Sequence, residues 1–171
     1  RVPDAYLEHF ERWRGLLGAA GDVRSAEATV DGRMVVGLGA ESVLEVAITL
    51  HRTYGVPYIP GSALKGLAAH LAARSLTDPS WRCGEESHRT LFGGVEEAGS
   101  VIFHDALWVP QAAAKLPLDL DVMTVHHPDY YGQKPGALPA DHDSPNPVSV
   151  ITARGTYLVA LQGPEPWTDA A

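Results

Sequence analysis

Leu7, Phe10, Trp13 and Leu17 recur at three- and four-residue spacing, which predicts an amphipathic helix near the start of the chain. Asp4 is placed to cap it, and Gly18 and Gly21 to stop it. A short strand is predicted over 33–38 (RMVVGL) and a better one over 43–51. There Leu44, Val46, Ile48 and Leu50 alternate with Glu45, Ala47, Thr49 and His51, giving one aliphatic face and one small or polar face open to solvent or a ligand. Pro57 and Pro60 exclude a helix before residue 61. Ser62 then reads as an N-cap, and Leu64, Leu67, Ala68 and Leu71 as the apolar stripe of a helix to about Leu76. Strands follow over 100–109, broken near Asp105, over 118–123, and as a pair within 147–161 joined near Arg154-Gly155. Pro128, Pro135, Pro139, Pro145 and Pro147 mark 126–147 as a loop. Helix, strand, helix and then several strands is an α+β order rather than a repeating βαβ one.

Composition narrows the class. The 171 residues fit one domain, and 45 % hydrophobic content supplies a core. One cysteine excludes a disulfide framework. No apolar run approaches a membrane span, and the start RVPDAYLEHFERW lacks the apolar stretch of a secretory signal. A soluble cytoplasmic protein is the expectation. The net charge of −8 argues against a nucleic-acid partner until it is localised. Residues 1–90 carry 10 basic and 11 acidic groups, and residues 91–171 carry 3 and 10. The window 45–75 holds Arg52, Lys65 and Arg74 against Glu45 alone, with His51 and His70 beside them.

Within that window, PGSALKG (60–66) makes a turn that feeds a helix. First-turn N–H groups lack helical acceptors and lie at the positive end of the helix dipole, so Lys65 is locally misplaced. A phosphate would take N–H bonds from the turn and charge from the lysine. The alternative is an ordinary capped helix with a solvated lysine. It is not a Walker A loop, because the lysine precedes the last glycine.

Two other chemistries are open. Asp119, Asp121, His126, His127, Asp129, Asp141, His142 and Asp143 form a carboxylate-plus-imidazole set suited to a metal-dependent phosphodiesterase, or else a solvated acidic loop. Its spacing matches no closed metal site, and Cys83 with His88 lacks a second cysteine. A Ser/His/Asp site has no G-x-S-x-G to build on. Asp105 reads as a carboxylate bonded to backbone at a bulge rather than as a catalytic group. Trp13, Trp81, Trp108 and Trp167 are interface anchors for a protein scaffold, or core.

GVPYIPGSALKG (55–66) resembles the strand–loop–helix signature of the RAMP proteins, the RNA-binding subunits of CRISPR effector complexes. LFGGVEEAGSVIFHDAL (91–107) is similar to their LFG, glycine and aspartate-bearing strand. LDVMTVHHPDYYG (120–132) and DHDSPNPVSVI (141–151) resemble the sixth Cmr subunit type of type III-B complexes. The matches span roughly 33–161. The resemblance implies a single RAMP domain over 1–171. It would have an N-terminal helix (1–20), a ferredoxin-like (RRM-like, βαββαβ) core over 33–161 and a loop insertion at 126–147. The family's C-terminal helix, glycine-rich loop and last strand do not appear in this sequence, so they are expected from a further segment or a partner chain.

The resemblance also implies a non-catalytic RNA-binding and assembly subunit that holds the 3′ portion of a guide RNA and helps position target RNA in antiviral defence. It implies neighbouring RAMP and Cmr subunits as partners, and no membrane, metal or cofactor. Gly61, Ser62 and Lys65 would meet a guide phosphate, with Arg52 and Arg74 adding charge and His51 or Thr49 on the polar sheet face. His126, His127, Tyr130 and Tyr131 would stack on bases or sugars, the alternative being a folded loop whose tyrosines pack on the core.

Overall fold

The computed structural model describes residues 2–38, 48–110, 116–125, 127–141 and 143–171. Helix α1 (Asp4–Ala19) starts one residue earlier than an Asp4 cap requires and runs through Gly18. It buries Tyr6, Phe10 and Leu17, while Leu7 is 40 % exposed. The face is turned toward Tyr6 because its hydroxyl donates to the Trp108 carbonyl oxygen, which lets a large ring enter the core without stranding its polar end. Burial, with Tyr157 nearby, holds the Tyr6 hydroxyl well above the usual phenol range. Burial alone pushes Tyr157 up to about 12.

Strand β1 (Val23–Thr29) follows, then β2 (Tyr58–Ile59), α2 (Gly61–Ser75), a 3-10 turn at Pro79–Trp81 and α3 (Glu86–Phe92). The predicted 100–109 strand is two pieces, β3 (Ile102–Phe103) and β4 (Ala106–Trp108), with the break at His104-Asp105. Next come β5 (Leu118–Val125), the short α4 (Pro128–Tyr131), β6 (Asn146–Ala153), β7 (Thr156–Gln162) and α5 (Trp167–Ala170). Gly155, at φ 102°, makes the β6–β7 joint where only a residue without Cβ turns cheaply. Among the described residues, no helix is long and apolar enough to cross a membrane.

The main sheet has the antiparallel order β1–β7–β4–β2, with β3 also alongside β7. Because β7 is antiparallel to both β1 and β4, those two run parallel, and α2 lies between them in the chain. This is the first, third and second strand of the βαββαβ arrangement, so the α+β, ferredoxin-like expectation holds. Among the described residues β1 pairs only with β7, and six of its seven positions are exposed.

One core cluster joins α1 to β4 and β7 through Tyr6, Phe10, Leu107, Trp108, Tyr157 and Leu158. A second gathers Leu91, Phe92 and Val101, against which Ala68, Ala69 and Ala72 of α2 pack with Trp81 and Trp167. Trp108 is thus core, and Trp13, Trp81 and Trp167 are partly buried against the two clusters. The stripe expected on α2 is rotated: Leu67 and Leu71 are 58 % and 50 % exposed, since the alanines allow the closer approach.

Strands β5 and β6 form a separate two-stranded sheet with an eight-pair register. It is tied back by a Met34–Ala153 bridge, with backbone bonds of 2.8 and 2.7 Å, and by Arg33, which reaches Asp119 and Asp121. That bridge is the only ladder contact in 33–38 among the described residues, so the strand predicted there is not formed. Of the 43–51 strand, residues 43–47 lie outside the described residues. Leu50 bridges Pro57 and is 37 % exposed rather than on a buried face.

Candidate nucleic-acid interface

Pro60 approaches α2 extended (φ −56°, ψ 138°), so the helix begins at Gly61 and Ser62 falls inside the first turn without a side-chain cap bond. The capping oxygen comes instead from far along the chain. Asp105 Oδ1 accepts the Gly61 N–H at 2.7 Å, and Ala63 N donates to Pro60 O at 2.9 Å. The broken strand at His104-Asp105 is what turns Asp105 toward α2. Gly61 is buried so tightly that a Cβ would stand 2.0 Å from Phe103 O.

The carboxylate therefore already supplies part of the negative charge that the sequence assigned to a phosphate. Ser62 is exposed and Lys65 half-buried on the following turn. Arg74 is nine residues further along α2. It lies about 13 Å up the axis and on the opposite side, where it faces His70 at 3.4 Å. Arg52 is exposed in the turn after Leu50, and His51 Nδ1 accepts the Thr53 N–H at 3.3 Å. The structure thus keeps Gly61, Ser62 and Lys65 together and sets Arg74 apart.

Outside the hairpin region Arg14, Arg24 and Arg89 are paired, with Glu11, with Glu165 and Asp169, and with Glu97, but five other described cations are not. Among the described residues Arg12, Arg52, Lys65 and Arg82 make no ion pair, nor does Arg74. Arg33, Arg154 and Lys134 of the hairpin region are all committed, to Asp121 (2.9 Å), Asp119 (3.1 Å) and Asp129 (2.9 Å). The pairing with Arg33, then the Val122 N–H, holds the Asp121 carboxyl below its usual range.

His126 and His142 lie outside the described residues. His127 Nδ1 meets Asp143 Oδ2 at 2.8 Å, an oxygen that also accepts the Ala140 N–H. Tyr130 and Tyr131 are 48 % and 67 % exposed, their rings 5.6 Å apart edge to face, and so are not packed on the core. With Asp119, Asp121 and Asp129 held by cations, no group of three or more metal-ligating side chains occurs among the described residues.

Sequence reasoning missed a cleft of about 420 Å³ beside the α2 turn, lined by His9, Trp13, His51, Phe103, His104 and Asp105. Its walls come from three distant segments, so no local spacing announces it. It also left Asp105 at a bulge without its partner, Gly61.

The family model for the RAMP superfamily matches residues 27–154. The CRISPR system Cmr subunit Cmr6 of Pyrococcus furiosus is 29 % identical across 94 % of this chain and 63 % of that protein. A chain from the cryo-EM structure of the type III-B Cmr-beta complex bound to cognate target RNA superposes with a TM-score of 0.70 at 19 % identity, over 98 % of this chain and 55 % of that one. The crystal structure of Cmr6 from Pyrococcus furiosus aligns at a TM-score of 0.45 and 28 % identity, over 85 % of each chain. The chain spans less than two thirds of the length of the curated relative it matches.

Proposed function

The chain belongs to the RAMP superfamily, and from that premise we propose that it is an RNA-binding and assembly subunit of a type III-B CRISPR ribonucleoprotein. It holds the 3′ portion of a guide RNA, helps position target RNA and contacts neighbouring Cmr subunits in the cytoplasm. It does no chemistry on the RNA. Similarity to a Cmr subunit across nearly the whole chain supports the assembly.

The observation that carries the RNA path is the set of unpaired cations. Phosphates reward unpaired basic groups, and those groups sit on α1, on α2 and in the segments flanking α2. Gly61 and Ser62 present the turn, Lys65 gives it charge and Arg52 extends it. Arg74, on the far side of α2, contributes to the general field only. Tyr130 and Tyr131, exposed on the hairpin arm, are platforms for bases, with His127 fixed beside them by Asp143 and His126 completing the set.

Binding of labelled single-stranded RNA by the full chain tests this. Lys65→Ala and Arg52→Ala are each expected to weaken binding roughly fivefold, equivalent to about 1 kcal/mol. Lys134→Ala and Arg154→Ala, which remove cations already neutralised, are expected to leave it within about twofold. Equal losses from all four variants would contradict the proposed path.

A further inference from the structure

The cleft beside α2 differs from a phosphate site in its chemistry. Trp13 and His104 meet edge to face at 5.3 Å, and His9 and His51 at 5.6 Å. Tyr54 backs the second pair, 5.1 Å from His9 and 4.7 Å from His51. The walls are therefore ring faces and edges. The polar atoms are of both kinds. Gln162 Nε2 donates to both Asp22 carboxylate oxygens at 3.2 Å, which turns its Oε1 toward His104 Nε2 at 3.0 Å. With Gln162 Oε1 as acceptor His104 donates from Nε2, and in that tautomer Nδ1 is an acceptor. His51 Nδ1 accepts from Thr53 N, so its neutral ring keeps an Nε2–H donor. Burial, then His51 and Arg12, lowers the pKa of His9, which favours its neutral form.

A phosphate needs donors and positive charge. This cleft offers a mixed donor–acceptor set and the Asp105 carboxylate. A heteroaromatic base presents the complementary pattern, with two faces to stack and an edge carrying both donors and acceptors. The volume is in the range of small-ligand clefts. Asp105 lines the cleft and also holds the Gly61 N–H. The cleft thus opens directly beside the turn assigned above to a phosphate.

We propose that this cleft receives one unstacked nucleobase of the bound RNA, seated between Trp13, His104 and the His9–His51 pair, while Lys65 holds a backbone phosphate nearby. The inference rests on the RNA-binding reading and adds a defined subsite to it.

The test is photo-crosslinking of the full chain to single-stranded RNA carrying 4-thiouridine, with the attachment sites mapped by mass spectrometry. Crosslinks are expected on the peptides holding Trp13 and Phe103-His104. His9→Ala and His104→Ala are expected to lower their yield roughly fivefold or more, the lower end of what one base–aromatic stack contributes. His104→Phe, which keeps the ring, is expected to retain more yield than His104→Ala. Unlabelled RNA should compete and AMP at equal nucleotide concentration should not. Competition by AMP would overturn the assignment to an RNA base in favour of a free nucleotide. Crosslinks confined to other segments, but still reduced by Lys65→Ala, would overturn the cleft and leave the RNA-binding reading standing. No crosslink anywhere would overturn both.

Discussion

At Gly61 there is no room for a side chain, because an added Cβ would meet the Phe103 carbonyl oxygen at 2.0 Å. The close approach is what brings Asp105 within 2.7 Å of the Gly61 N–H, so the two residues act as one device. Gly61→Ala is expected to destabilise the fold by about 1–3 kcal/mol through forced backbone displacement. Asp105→Ala is expected to cost about 1–2 kcal/mol, as loss of a helix-capping acceptor does. Urea denaturation of the two variants checks both values, and an unchanged midpoint for either would contradict the device. Asp105→Asn keeps an acceptor oxygen and is expected to lose less than Asp105→Ala.

Among the elements, the β5–β6 arm hangs on few contacts with the rest of the chain, and Arg33 is one of them. Its hydrogen bond holds the Asp121 carboxyl below the ordinary 3.8. A depressed carboxylate stabilises the folded state above its unfolded pKa and loses that contribution as pH falls through the folded value. The tie is therefore intact at neutral pH and released only in acid below 3.8. An NMR titration of Asp121 is expected to show its midpoint rising toward the ordinary value in Arg33→Ala, and an unmoved midpoint would contradict the tie. Strands β5, β6 and β7 were legible in the sequence because apolar positions alternate over 118–123, TYLVAL carries a continuous apolar run and Arg154-Gly155 supplies the joint. Strand β1 was not, since VRSAEAT is exposed at six of seven positions and carries no hydrophobic alternation. On α1 the predicted face holds at Phe10, Trp13 and Leu17 and fails at Leu7, and on α2 it holds at Leu64 and Ala68 and fails at Leu67 and Leu71, for a shared reason. Periodicity gives the stripe but not its phase, which Tyr6 fixes by bonding Trp108 O and the alanines of α2 fix by close packing. The PGSALKG turn was visible as a helix start, but its true cap, Asp105, lies 44 residues away.

For the whole molecule, the net charge of −8 comes almost entirely from residues 91–171, which carry 3 basic and 10 acidic groups. The hairpin half neutralises its own few cations, whereas Arg12, Arg52, Lys65, Arg74 and Arg82 stay unpaired among the described residues. The RAMP fold fixes where such a chain places its α2 turn, and the proposed RNA path assigns that turn an electrostatic role despite the acidic total. The most direct check is the salt dependence of single-stranded RNA affinity for the full chain and for Lys65→Ala. The log–log slope is expected to be negative for the unaltered chain and shallower by about 0.7 for the variant, the release expected from one single-strand phosphate contact. A slope identical in the two proteins, or affinity that does not change with salt, would contradict an RNA path across the α2 turn.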